Sequence, residues 1–358
     1  MAKKPRANKA NPATAPLLSA LKFLEPAMSD EGQVNQTHCL LTNGWAVAFN
    51  GVITLATKID TDIQACPNAM KLLNALSKCD DKTQITQLAN TISIKSGRYS
   101  ASIPCVDPEL IVIEPPTPMM LPIDDSVREA LAIVGEVVSD TAPRMVAASV
   151  LLRNGSAVAT DGTIIFEAWH GQYIPEPGVV FPKAFVTALS KIPKKIVGIS
   201  ATATTASIYF EDQSWIRTQL YTEQYPNVDR ILNEQANAIP IPEGFFEALE
   251  KIEGQADDGR VYFGNLKLQT HNVDEAGAIY EIDGIPSGIC YDIDYLRMFK
   301  GLATQADFQA KNNQMGIFYG DRFRGMLMQI LIQKTPEVRD IQPTGPQLVQ
   351  TIPDDIPF

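Results

Sequence analysis

Asn43-Gly44-Trp45-Ala46-Val47-Ala48-Phe49-Asn50-Gly51 returns further along as Asn154-Gly155-Ser156-Ala157-Val158-Ala159-Thr160-Asp161-Gly162, with Asn, Gly, Ala, Val, Ala and Gly in register. The offset of 111 positions is about the length of a domain, and self-similarity at such a period marks a repeated structural unit. Within each copy, apolar and small residues alternate between turn-forming residues, the pattern of strands joined by tight turns. Duplicated units of this kind build frames, rings and arrays more often than single catalytic clefts.

Outward from the two copies, the chain divides at proline-rich or polar stretches. Residues 1–16 are rich in Lys, Ala, Asn and Pro, carry Lys3, Lys4, Arg6 and Lys9 without an acid, and read as a disordered basic arm. Glu114-Pro115-Pro116-Thr117-Pro118-Met119-Met120-Leu121-Pro122 is a connector, so 114–122 separates two blocks. A second boundary falls near Asn233–Pro242, and a polar, proline-rich tail covers 335–358. Three blocks remain, 17–113, 123–233 and 239–334.

Each block follows one order. It opens on an apolar stripe of helical period: Leu17, Leu18, Leu21 and Leu24; then Val127, Leu131, Val134 and Val138; then Phe245, Leu249 and Ile252. Strand-like alternation follows. A second helix then starts behind Pro67, Pro182 or Asp292, residue types suited to a first turn. Each block closes on a hairpin-like pair, around 93–100, 207–215 and 316–323. The expected fold class is α+β, three tandem copies of one domain with two helices packed on antiparallel sheet. The third copy rests on pattern alone.

Composition narrows the function. The apolar fraction is 45% and the charged fraction 20%, ordinary for a globular protein. No apolar run approaches the ~20 residues of a membrane span, and the basic start lacks the apolar segment of a secretory signal. Five widely spaced cysteines without a CxxC argue against a disulfide framework and a zinc site, and point to a reducing cytoplasm. No cofactor or metal is expected.

The net charge is -11, which opposes wholesale coating of nucleic acid but not a local basic surface. The cations concentrate on the helices. Lys71 and Lys78 share one face of the second helix of the first block. Lys183 and Lys191 do so in the second block, with Lys194 and Lys195 just beyond, and Arg297 and Lys300 in the third. The first helices add Lys22, Arg128 and Lys251. Aligned across three copies, these residues would form a positive stripe able to hold a phosphate backbone without reading sequence.

The threefold order, the Ala159-Thr160-Asp161-Gly162 turn and Tyr225-Pro226-Asn227-Val228-Asp229-Arg230-Ile231-Leu232 together resemble the bacterial DNA polymerase III beta sliding clamp family, over about 17–334. The resemblance implies a ring of two head-to-tail subunits around duplex DNA, with helices facing the DNA, acting as a processivity factor for a polymerase and opened by a clamp loader. It also implies a peptide pocket between the second and third domains, here Thr160, Gly162, Ile164, Pro226 and Ile231. The family turn continues His-Arg-Leu where this chain has Thr163-Ile164-Ile165. The family's closing Met-Pro-Met-Arg-Leu is here Met326-Leu327-Met328-Gln329-Ile330. These departures, with the arm and tail, point to a phage or plasmid version.

The last residues, Asp354-Asp355-Ile356-Pro357-Phe358, resemble the acidic tip of bacterial single-stranded DNA-binding proteins. That likeness implies recruitment of proteins that bind such a tip. A second reading is a non-loading adaptor or decoy that keeps the fold and regulates host replication through this tail. Against an enzyme, the chain has no Walker A, nucleophile elbow, HExxH or dinucleotide fingerprint. Asp161 and Glu167 fall on the opposite side of an alternating strand from His170, and a lone histidine beside Trp169 reads as structural. The acid pairs Asp80-Asp81, Asp124-Asp125 and Asp257-Asp258 read as caps and turns.

Overall fold

The structure, a computed structural model, describes residues 14–80, 82–111, 113–139, 148–271 and 277–332. The expected tail, 335–358, and residues 1–13 of the expected arm lie outside the described residues. The rest of that arm is helical. Helix α1 (Thr14–Leu24) takes in Thr14, Ala15 and Pro16, since proline is tolerated in a first turn, and it buries Leu17, Leu21 and Leu24.

The first block continues with the short helix α2 (Val34–Thr37) and strands β1 (Leu40–Thr42), β2 (Trp45–Phe49), β3 (Ile53–Lys58) and β4 (Cys66–Pro67). Helix α3 (Ala69–Leu76) follows, capped by Asn68, whose side chain accepts the Lys71 N–H at 3.0 Å. Strands β5 (Gln84–Leu88), β6 (Thr91–Ser96) and β7 (Tyr99–Val106) close the block.

The second block repeats the order. Helix α4 (Ser126–Gly135) leads to β8 (Ser149–Arg153), β9 (Ser156–Thr160), β10 (Ile164–Trp169) and β11 (Val179–Pro182). Helix α5 (Lys183–Ser190) is followed by β12 (Ile196–Ala201), β13 (Thr205–Phe210) and β14 (Trp215–Gln219).

A connector carrying the short helix α6 (Asp229–Leu232) and β15 (Ile239–Pro240) leads to the third block. Helix α7 (Phe245–Ile252) precedes β16 (Arg260–Gly264), β17 (Lys267–Gln269), β18 (Ile279–Glu281) and β19 (Ile289–Asp292). Helix α8 (Ile293–Arg297) is capped by Asp292, which accepts from the N–H groups of Asp294 and Tyr295. Strands β20 (Gln305–Gln309), β21 (Met315–Gly320) and β22 (Phe323–Met328) finish it, with the short turn α9 (Ala310–Asn313) between the first two. The third copy, least legible by residue identity, thus has the same element order. Its second helix is the shortest of the three, Ile293–Arg297 against Ala69–Leu76 and Lys183–Ser190.

In each block the two principal helices pack side by side, α1 on α3, α4 on α5 and α7 on α8. The blocks are not separate bodies. A six-stranded sheet, β1-β2-β3-β14-β13-β12, joins the first to the second through antiparallel β3 and β14. An eight-stranded sheet, β11-β8-β9-β10-β22-β21-β20-β15, joins the second to the third through antiparallel β10 and β22. The order β4-β7-β6-β5 stands at one end and β18-β17-β16-β19 at the other. The expected connector also joins the second block, because Met120 and Leu121 donate their N–H groups to Ile199 O and Leu121 O accepts from Ile199 N–H.

One apolar core runs through all three blocks. At the second junction it is aromatic: Phe166 of β10 lies 5.0 Å from Phe299 and 4.9 Å from Phe323, and Phe299 stacks on Phe318 at 3.9 Å. Gly325 makes that contact possible, since a Cβ there would lie 2.4 Å from the Phe299 ring and 3.2 Å from Phe166. Gly325→Ala should therefore lower unfolding stability by about 1–3 kcal/mol, read from the denaturant midpoint. A parental midpoint would show that the rings repack freely.

Candidate functional site

The helix faces carry the candidate phosphate-binding cations, and the structure divides them. Lys22, Lys71, Lys78, Lys191 and Lys195 are exposed and make no ion pair among the described residues. Lys183 is half-buried at the start of α5. In the third block all the expected cations are compensated. Lys251 pairs with Glu247 at 2.6 Å, Arg297 with Glu253 and, at 3.5 Å, Asp294, and Lys300 with Glu250. Exposed pairs of this kind add little stability, but each cancels a charge that would otherwise reach a phosphate.

Two second-block cations are structural instead of outward-facing. The Lys194 ammonium pairs with Asp212 at 2.6 Å, donates to Ser214 at 3.0 Å and lies 3.7 Å from the centre of the Phe23 ring. It thereby fastens α1 to the loop between β13 and β14. Arg128 pairs with Asp125 at 2.9 Å and donates to the Lys194 carbonyl, holding α4 against the same segment. Among the described residues, the expected cations that are exposed and free of an ion pair thus lie in blocks one and two.

The five expected pocket residues do not share one lining. Thr160 is buried at the end of β9, where its hydroxyl donates to Ile164 O at 2.7 Å and accepts from Gly162 N–H at 3.0 Å. Asp161 accepts from the N–H groups of Thr163 and Ile164, and its other oxygen takes the Tyr295 hydroxyl of α8. Burial, with this acceptor beside it, pushes the Tyr295 phenol up to about 12. The turn is therefore pinned to the third block. Gly162 is exposed at φ +97° with open space where a Cβ would stand.

Ile164 faces inward. It lies in the main core with Phe166, whereas its neighbour Ile165 faces the outer side of the sheet. The reason is the two-residue alternation of β10, which puts Ile164 and Phe166 on one face and Ile165 on the other. On that outer side Val158, Ile165, Ile317 and Met326 pack with Val228 and Leu232 of the connector, and Ile231 packs at the margin. Pro226 is exposed and lines a cavity of about 1090 Å³ with Leu151, Val180, Leu220 and Tyr225.

A charge cluster fastens this connector to the sheet. Glu167, on β10, is buried; Arg153 approaches it at 2.6 Å, Arg324 at 2.5 Å and the Ser156 hydroxyl at 2.8 Å. Arg153 also pairs with Asp229 at 2.5 Å, and Arg324 donates to Leu232 O at 2.6 Å. Burial opposes ionisation of Glu167, but the hydrogen bonds from Arg153, Arg324 and Ser156 outweigh it and hold the carboxyl below its ordinary range. His170 is also buried, with Nε2 unpartnered, and burial pushes it down toward the neutral form. No cluster of metal-ligating side chains occurs among the described residues.

A feature not anticipated from the sequence lies at the first junction. A groove of about 810 Å³ opens there, lined by Leu40, Trp45, Val47, Met119, Tyr209 and Trp215, with Glu114 and Glu211 among its polar margins. One signal was present: the first copy of the repeat has Trp45 where the second has Ser156.

No sequence-family model matches the chain, and no curated protein does. Solved structures match its fold. The DNA polymerase III subunit beta from Pseudomonas aeruginosa superposes with a TM-score of 0.75 at 13% identity, over 89% of this chain and 98% of that one. Caulobacter crescentus pol III beta gives 0.75 at 15% identity over the same shares. The Helicobacter pylori beta clamp gives 0.71 at 15%, again over 89% and 98%. The chain has the beta sliding clamp fold.

Glu167→Ala would leave two guanidinium groups around an empty centre, at a cost of about 3 kcal/mol, readable by urea unfolding. The pH dependence has a definite sign. With its folded pKa depressed, Glu167 contributes stability that is present above the unfolded carboxyl value of about 4.3 and lost as pH falls through the folded value. Glu167→Gln should flatten that acid branch, and an unchanged slope would remove Glu167 as its source.

Proposed function

We propose that the chain is a DNA sliding clamp: two copies close head to tail into a ring around duplex DNA, which slides and tethers a polymerase without chemistry of its own. The observation that carries this reading is a pair of unpaired sheet edges. At both internal junctions, the third strand of one block pairs antiparallel with the last strand of the next, β3 with β14 and β10 with β22. The corresponding third strand of block three is β18, and the corresponding last strand of block one is β7. Among the described residues β18 pairs only with β17, and β7 beyond β6 pairs only through Cys105 and Val106, to β4. Two such edges at opposite ends of one chain would be satisfied by a second copy making the same antiparallel junction, a heterologous contact that closes after two subunits.

Inside such a ring, Lys22, Lys71, Lys78, Lys191 and Lys195 supply weak, sequence-blind phosphate contacts. Such contacts let a ring slide, whereas tight ones would stall it. The cavity beside the second junction, which Pro226 lines with Leu151, Val180, Leu220 and Tyr225, takes a partner's peptide from a polymerase or a clamp loader. Asp354, Asp355, Ile356, Pro357 and Phe358 add a second means of recruitment, directed at proteins that bind the single-stranded DNA-binding protein tip.

Two experiments bear on this reading. Native mass spectrometry should find a dimer for the parent and monomers for Ile279→Asp and for Ser102→Pro, which removes an edge donor. A strictly monomeric parent, or variants that stay dimeric, would refute closure through these edges. In DNA binding followed over a salt series, Lys71→Ala with Lys78→Ala, and Lys191→Ala with Lys195→Ala, should each reduce the log–log salt slope by roughly two. Lys251→Ala with Lys300→Ala should leave it unchanged, and an equal effect would place the DNA against all three blocks.

A further inference from the structure

The two junctions carry the same outer sheet face, and only one of them is covered. Strand register relates them position by position. Val47 pairs with Ala56 and Val158 with Glu167; Ala56 in turn meets Trp215 and Glu167 meets Arg324; Trp215 meets Tyr209 and Arg324 meets Tyr319. Val47 therefore corresponds to Val158, and Tyr209 to Tyr319. At the second junction the connector lies across this face, with Tyr225, Val228 and Leu232 packed on Val158, Ile165 and Met326. The charged row Glu167–Arg324 beside them ties the connector down.

At the first junction that charged row is replaced by Ala56 and Trp215, which form an apolar cluster with Val47, bordered by Trp45 and Tyr209. Among the described residues, Ile113 just ahead of the connector packs on the cluster, and the connector's Pro115, Pro116 and Met119 line the side of the groove without crossing the strands. The connector is fastened along this margin, Glu114 by Arg217 at 2.5 Å and the Thr117 carbonyl by the Tyr209 and Ser200 hydroxyls. Prolines at 115, 116 and 118 leave it unable to repeat the turn of α6. The result is the open groove of about 810 Å³, within the size range of sites that take a few large side chains.

The covered junction shows what such a face takes: two branched aliphatic side chains four residues apart, Val228 and Leu232, with an aromatic ring nearby. Gln347-Leu348-Val349-Gln350-Thr351-Ile352-Pro353-Asp354-Asp355-Ile356-Pro357-Phe358 has that pattern, with Leu348, Ile352 and Ile356 at intervals of four and Phe358 beyond. Asp354 and Asp355 match an exposed cation at the rim, Lys58, whose ammonium lies 5.8 Å from the centre of the Trp45 ring and donates to Gln213 at 2.6 Å. Residues 333–347 separate this segment from the end of the described third block and, at ~3.3 Å per residue, reach about 50 Å when extended.

We propose that the groove at the first junction is the docking site for this chain's own segment Leu348–Phe358. Leu348 and Ile352 enter between Trp45, Val47 and Trp215, and the two aspartates lie toward Lys58. Docked there, the tip is withheld from other proteins until something displaces it from the groove. The assignment does not depend on ring closure or on DNA.

Benzoylphenylalanine placed at Val349 of the full chain, irradiated and mapped by mass spectrometry, tests the assignment. Adducts on Trp45, Met119, Tyr209 or Trp215 are expected. Trp45→Ser, which installs the residue of the second repeat, should reduce them at least tenfold, as should Leu348→Ser with Ile352→Ser in the tail. Tyr209→Ala provides an independent groove variant should Trp45→Ser unfold, with thermal melting as the check on each. With the pure protein, adducts on the outer face of the second junction, or no adducts at all, would each overturn the assignment.

Discussion

Backbone hydrogen bonding across the block boundaries is the constraint from which the rest of this molecule follows. Antiparallel pairing of β3 with β14 and of β10 with β22 turns three α+β units into one continuous body. Once strands of neighbouring units share a sheet, the core must also run through, and it does, from Leu17 to Leu327. The aromatic contacts of Phe166 with Phe299 and Phe323 are the side-chain expression of the same junction. Gly325 is fixed by them, because only a residue without a Cβ lets those rings meet the strand.

The same constraint creates what is left over. A rule that joins each third strand to the next block's last strand consumes two edges of each kind and leaves β18 and β7. Exposed edges are normally blunted or covered, so their persistence at opposite ends of one chain is informative about assembly. The outer faces of the two junctions then diverge in chemistry. One is locked by Glu167, Arg153 and Arg324 and covered by the connector. The other has lost its charges to Ala56 and Trp215 and stays open.

Electrostatics follows a similar division of labour. A chain with net charge -11 keeps its uncompensated helix cations on blocks one and two and neutralises those of block three with Glu247, Glu250, Glu253 and Asp294. Lys194 and Arg128, equally basic in sequence, serve as fasteners between α1, α4 and the β13–β14 loop. Counting lysines on helix faces cannot separate these roles, because the distinction lies in which carboxylate or ring stands opposite.

By itself, the sequence determined the repeat, the order of helices and strands within each block and the apolar faces of the helices. These depend on near-neighbour periodicity and on turn residues such as Asn-Gly and Asp-Gly. The threefold α+β order was legible for that reason, even where the third block shares little residue identity with the others, and the clamp reading came from the resemblance carried by the Ala159–Gly162 turn and the Tyr225–Leu232 segment. Tertiary structure alone decided the inward face of Ile164 and the outward face of Ile165, since a strand's phase is set by the partner it pairs with. It alone decided that Lys300 meets Glu250 and Lys194 meets Asp212 and Phe23, contacts between elements far apart in the chain. It also decided that the second copy of the repeated stretch is closed over by its own connector while the first stands open, because covering a sheet face depends on what packs across it and not on the strand that presents it.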